Sequence, residues 1–346
     1  MKAGNLFYKN FKIIILIIFS VILVSCSYGI SSPSKMSEQL RAAWIVYWDL
    51  DAGEKELLAI SRRGKLDQLL YFAAYFDEND RLFIPPELSE RKIKLQAHKK
   101  RYGYETYLSF VNDTQNADGS STLKDIEILR RLFSDDSSME RHIDEIIAMT
   151  LAHGYDGVDL DYEQIWIEED VGQLFLRFIE KLYPKTIQNN LKLRVVLEPS
   201  TPFSADFVSG PEYSVMFYDL YGSHSGPGPK ANNEFIRDTI QRMLSLPGEK
   251  TVAFATGGCM WGSDGSIVFI DEVEARNLAK KHRAKATRDK NSECLVFSFQ
   301  DKGVSYTVWY ADIRTLNYWV RVAAEQGQNN INIWRLGGNV NLHRLN

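Results

Sequence analysis

Four carboxylates fall within eight residues at Asp156-Gly157-Val158-Asp159-Leu160-Asp161-Tyr162-Glu163, in a segment that otherwise has the composition of a buried strand. In an extended chain successive side chains point to opposite faces. Asp159, Asp161 and Glu163 therefore share one face, and Val158, Leu160 and Tyr162 share the other. Neighbours on the acidic face stand about 6.5–7 Å apart along the strand. Burying one unpaired ionised carboxylate costs many kcal/mol, and the group neutralises instead. Such a row belongs either to a solvated edge strand or to a site that moves protons. Glu163, the terminal member, is the candidate proton donor. Asp161, one pleat away, would raise its pKa, because two close like charges resist ionising together. Asp156 lies on the opposite parity and reads as structural.

The flanking elements favour a proton site. Ile143, Ile146, Ile147 and Leu151 recur at helical spacing, and Gly154 follows as a C-terminal cap. A helix feeding directly into a strand is the pattern of a parallel sheet, whose active sites lie at the carboxyl ends of strands. From about residue 42 the chain offers eight strand candidates: 43–49, 69–76, 106–112, 155–162, 193–199, 214–221, 251–256 and 330–336. Helical periodicity fills most intervals, as at 123–133, 172–183 and 235–246. This predicts an α/β fold, a (β/α)₈ TIM barrel. A doubly wound open sheet is the alternative, but no Gly-rich phosphate loop follows the first strand. The interval before the eighth strand is too long. It contains a helix at 271–284 and two β-like runs at 294–300 and 305–309, joined by the turn Asp301-Lys302-Gly303. A small α+β insertion is expected at about 262–310, inside a barrel spanning 42–346.

The N-terminus reads as a targeting segment. Lys2, Lys9 and Lys12 precede an apolar run from Ile13 to Val24, too short for a comfortable membrane span. Leu23-Val24-Ser25-Cys26 resembles the bacterial lipoprotein signal. That resemblance implies a signal peptide at 1–25, lipidation of Cys26, a tether at 26–41, and an extracytoplasmic protein held at the membrane of the cell envelope. Cleavage there removes three lysines and no acid, and takes the net charge from −4 to −7. An acidic chain without a basic patch disfavours nucleic acid. Cys259 and Cys294 remain, and suit buried small side chains as well as a disulfide. No Cys/His spacing suggests zinc, so no metal and no other cofactor is expected. A monomer is expected.

Asp156-x-x-Asp159-x-Asp161-x-Glu163 resembles the signature of glycoside hydrolase family 18, the chitinase-like barrels. Met216-Phe217-Tyr218-Asp219 is similar to the family's sixth-strand motif, and Trp334 to its eighth-strand tryptophan. Trp309-Tyr310-x-Asp312 resembles the branch of spore-germination and peptidoglycan-associated hydrolases. On the third strand, where many family chitinases carry Ser-x-Gly-Gly, this chain has Ser109-Phe110-Val111-Asn112. That departure weighs against crystalline chitin.

The resemblance implies substrate-assisted cleavage of β-linked N-acetylglucosamine glycans through an oxazolinium. Glu163 would then be the acid. Asp161 would hold the acetamide N–H, and Asp159 would share its proton deeper in the barrel. Tyr218 would donate to the acetamide oxygen. Asp219 and Met216 would contact the sugar, and Trp334 would lie under it. Trp48, Trp166, Trp261 and Trp309 could extend the cleft or simply pack, and His224 could line it. A lectin on the same barrel and an endo-acting deglycosidase of N-glycans are the alternatives. The intact acid weighs against the lectin.

Overall fold

The computed structural model describes residues 40–63 and 66–346. The signal segment, with Cys26, lies outside them. Eight parallel strands close into a barrel in sequence order: Leu40–Val46, Leu66–Asp77, Glu105–Gln115, Gly157–Asp161, Lys192–Leu197, Glu212–Met216, Lys250–Ala255 and Ile331–Trp334. Closure joins the first strand to the eighth, with Ala42 opposite Asn332. All eight strands coincide with those expected, and the (β/α)₈ fold is observed. The first begins at Leu40, inside the stretch read as a tether.

Helices cover the outside. Helix Asp136–His153 starts at Asp135, whose side chain accepts from Ser138 N at 2.8 Å. It ends at Gly154, whose left-handed backbone (φ 73°) suits a residue without Cβ. Helix Glu169–Gln188 buries Phe175, Phe178, Ile179 and Leu182 against the strands. The link between Leu197 and Glu212 contains no helix. Val158, Leu160 and Tyr162 face the helices and join the large core between the layers. The opposite face of each strand fills the barrel interior, with Trp44, Phe72, Tyr107, Val196 and Met216 among its buried members.

Between the seventh and eighth strands the chain builds a separate five-stranded antiparallel sheet. Its strands run in spatial order Ile267–Ile270, Gly257–Gly262, Val304–Ala311, Leu295–Asp301 and Thr287–Arg288. The helix Glu272–Lys281 packs on it through Ala275, against Phe297, Val308 and Tyr310. The sheet starts at Gly257, earlier than the sequence suggests. Gly-Gly reads as a turn, yet here it is strand. A Cβ on Gly258 would stand 1.9 Å from Trp309 O, so only glycine allows these two strands to pair. Cys259 and Cys294 are both free and buried.

Candidate active site

Strand register builds the barrel interior. Ser109, Asp159, Arg194 and Glu212 lie side by side on four neighbouring strands. Asp159 Oδ2 accepts from Ser109 Oγ at 2.5 Å and Trp44 Nε1 at 2.9 Å, and Oδ1 accepts from Arg194 Nε at 3.2 Å. Arg194 Nη1 also donates to Gln68 Oε1 at 2.6 Å and pairs with Glu212. Its guanidinium carbon lies 5.6 Å from the centre of the Trp44 ring. Burial pushes the Asp159 carboxyl up, while Arg194, Ser109 and Trp44 pull it back. The sequence reading has Asp159 sharing a proton with Asp161. The structure gives Asp159 a full set of other partners and no hydrogen bond to Asp161. Asp156 is structural: Oδ2 accepts from Thr106 N at 2.6 Å and pairs with Lys99 at 2.5 Å.

One pleat further the environment changes. Asp161 ends its strand, is buried, and has no hydrogen-bond partner for Oδ1 among the described residues. Burial, then Glu163, then Asp159 push its carboxyl well above the usual range. Glu163 lies two residues past the strand's end, and its backbone is clamped from both sides by Asn112. Asn112 Oδ1 accepts from Glu163 N at 2.8 Å, and Asn112 Nδ2 donates to Glu163 O at 3.1 Å. The Ser109–Asn112 stretch that departs from the chitinase motif thus supports both ends of the acidic row.

The Glu163 side chain is ion-paired with Lys124, Nζ to Oε2 at 2.5 Å. Its carboxyl is nonetheless pushed up to about 7: burial raises it, Lys124 lowers it, and Glu198 and Asp219 raise it further. Lys124 is raised as well, because Glu163, Asp219 and Glu198 outweigh the cost of burying its charge. In a simple ion pair the carboxylate would fall. Here burial and two further acids outweigh one lysine.

These groups line a cleft of about 640 Å³ at the carboxyl ends of the strands, with Tyr47, Trp48, Tyr218, Asp219 and Trp334. Burial first, then Asp161 and Asp219, raise the Tyr218 phenol well above its usual value, so it is an O–H donor. Trp334 packs edge-on to Phe72 at 4.7 Å and to Trp44 at 6.0 Å between ring centres. Trp48 is 51 % exposed on the rim. Met216 lies beneath the cleft, buried in the interior cluster rather than lining it. Trp261 donates from Nε1 to Ser225 O at 3.0 Å and fastens the loop after the sixth strand. Trp166 packs over Gly172. Trp166, Trp261, Trp309 and His224 are not among the cleft's lining residues.

The closed (β/α)₈ barrel thus carries a carboxylate row that opens into a cleft at its carboxyl mouth. Residues 43–339 match the model of glycosyl hydrolases family 18, and the chain belongs to that family. It is 25% identical over 235 residues to the uncharacterized glycosylase YvbX of Bacillus subtilis, covering 62% of this chain and 66% of YvbX. It is 24% identical over 251 residues to the cortical fragment-lytic enzyme of Bacillus anthracis, covering 66% of this chain and 56% of that enzyme. The matches thus span less than two thirds of either relative. Among solved structures, the chitinase of Chromobacterium violaceum superimposes with a TM-score of 0.72 at 16% identity, covering 88% of this chain and 96% of that one.

Lys124, Arg194 and Glu198 escape a reading based on motifs. Arg194 carries a usable signal, a charge inside the run Leu193-Arg194-Val195-Val196 on the same parity as inward residues. Lys124 carries none: its partner is 39 residues away and only the fold brings them together.

Proposed function

We propose that this domain is a retaining glycosidase acting on β-linked N-acetylglucosamine glycans, with the substrate's own acetamide as nucleophile. The observation that carries the proposal is the joint placement, in one cleft, of a raised Glu163 and a buried Asp161 whose Oδ1 has no hydrogen-bond partner among the described residues. Glu163 donates a proton to the departing glycosidic oxygen while the acetamide oxygen attacks the anomeric carbon and forms an oxazolinium. Asp161 accepts from the acetamide N–H and stabilises the positive charge that develops. Tyr218 O–H donates to the acetamide oxygen. The Trp334 ring supports the apolar face of the sugar, and Asp219 receives a sugar hydroxyl. Water then opens the oxazolinium, Glu163 takes its proton, and the anomeric configuration is retained.

The substrate we propose is the cell-wall glycan or soluble N-acetylglucosamine oligomers, in preference to crystalline chitin. The altered third-strand motif and the relatives named for cortical fragment lysis support this choice. Both sugars of that glycan carry the acetamide, so the C3 substituent decides: the reacting sugar is taken to need a C3 hydroxyl free of a lactyl group, and the new reducing end should be N-acetylglucosamine. Borohydride reduction and mass spectrometry of digested peptidoglycan test the assignment. Reduced muramic acid as the only new end would overturn it. A thiazoline mimic of the oxazolinium should inhibit, and hydrolysis unaffected by that mimic would exclude acetamide participation.

Leu-Val-Ser-Cys supports a second proposal, that Cys26 carries a lipid tethering the domain outside the cytoplasm. Cys26→Ala should abolish fatty-acid labelling and processing. Labelled, cleaved protein in that variant would refute the anchor.

A further inference from the structure

Lys124 is fastened before its side chain reaches the site. Its backbone is left-handed (φ 55°), and its N–H donates to Asp113 Oδ1 at 2.8 Å. The next residue, Asp125, caps helix Ile126–Leu132 by accepting from Glu127 N. From this anchored loop the ammonium contacts Glu163 Oε2. Two consequences follow from that contact. An ammonium touching a carboxylate favours the ionised form, and ionised Glu163 has no proton to give. A group touching the acid's oxygen also stands within a few ångströms of the departing glycosidic oxygen, since a general acid must reach that atom directly. Lys124 is therefore within reach of groups carried by the leaving sugar.

Resting on the assignment of Glu163 as the acid, we propose that Lys124 is a charge lock on that acid, opened by a carboxylate carried on the leaving side of the glycan. The substrate's carboxylate takes over the ammonium. Glu163 then faces Asp161 from its own strand, Glu198 from the end of the fifth, and Tyr218 and Asp219 from the end of the sixth, with Asp113 behind Lys124. Without a counter-ion among these acids, Glu163 takes a proton from solvent and becomes competent to donate it. A neutral glycan brings no such anion and meets the acid still paired with Lys124, with its proton less available. Lys124 is thus a positioning residue whose effect is selection for acidic glycans, such as strands bearing lactyl or peptide carboxylates.

The test compares the wild type, Lys124→Met, Lys124→Arg and Glu163→Gln on neutral N-acetylglucosamine oligomers and on glycan strands bearing lactyl carboxylates. In the wild type, kcat/KM should favour the acidic glycan by about tenfold, and the alkaline limb of kcat should lie about one pH unit higher with it. Lys124→Met should abolish that preference, raise kcat on the neutral oligomers, and bring the two alkaline limbs together. Lys124→Arg should retain the preference. In the free protein the Glu163 carboxyl, followed by NMR, should titrate at higher pH in Lys124→Met than in the wild type. Coincident titrations, or an equal loss on both glycans with unmoved limbs, would overturn the lock. Wild-type turnover by Glu163→Gln would instead overturn the assignment of the acid itself.

Discussion

The barrel interior holds acids in two layers and treats them in opposite ways. In the lower layer Asp159 and Glu212 share Arg194, with Ser109, Trp44 and Gln68 supplying further bonds. In the upper layer, one pleat along the same strand, Asp161 Oδ1 has no partner among the described residues, and Glu163 has a lysine set against neighbouring acids. Burial is severe in both. The difference is the supply of donors: the lower layer surrounds Asp159 with an arginine and two further donors, and the upper one leaves Asp161 and Glu163 with few. Perturbed carboxyls in a cleft mark function far better than carboxyls alone, and a row of identical residue types can be divided on that basis.

The sharpest way to break the comparison is to disarm one layer and watch the other. Glu163→Gln should lower kcat by on the order of 10²–10⁴ while the protein stays folded, because the amide keeps the side chain's shape and Lys124 retains Asp219 and Glu198 as neighbouring acids. Turnover close to wild type in a folded Glu163→Gln protein would remove the upper layer from the chemistry. Arg194→Met should do the reverse. It strands Asp159 in the interior and leaves Glu212 with Arg41 as its cationic partner, and losing one partner of a buried ion pair costs about 3–5 kcal/mol. Denaturant unfolding should show that loss, and the protein that remains folded should keep its turnover within a few fold. Selective loss of kcat in a stable Arg194→Met would mean that the lower layer is part of the catalytic set.

Much of this division was legible in the chain, and what was not has a physical reason. Apolar runs set between helical patterns located all eight barrel strands, because a parallel sheet covered by helices is buried on both faces. Side-chain parity separated Asp156 from the acidic row. It could not separate Asp159 from Asp161, since parity is identical and the deciding partners come from other strands through register. The strand Gly257–Gly262 was hidden because its glycines serve a close backbone approach rather than a turn. Lys124 was hidden because a long side chain from a loop acts at a distance in sequence that no period encodes. Met216 was expected against the sugar on motif grounds alone, and its parity directs it into the interior beneath.

The smallest effect is the most discriminating, because the two layers should differ in its sign. Glu163 is raised in the folded protein to about 7 from an ordinary 4.5, and Asp161 is raised too. A raised group binds more protons folded than unfolded. Its stabilising contribution is complete below the unfolded pKa and is lost as pH rises through the folded one. For Glu163 that window runs from about 4.5 to about 7. The double variant Asp161→Asn/Glu163→Gln should escape this loss, so its stability relative to the wild type should rise by about 3 kcal/mol across the window. Taking the difference also cancels other raised acids such as Glu56, which burial pushes up to about 8 and which both proteins share. Arg194→Met should trend the opposite way. Its stranded Asp159 carboxyl can take a proton at low pH and not at neutral pH, so its deficit should grow as pH rises. Urea unfolding at several pH values gives both differences directly. If the two curves ran in parallel, the layers would be electrostatically alike, and the assignment of proton chemistry to the upper one would lose its physical basis.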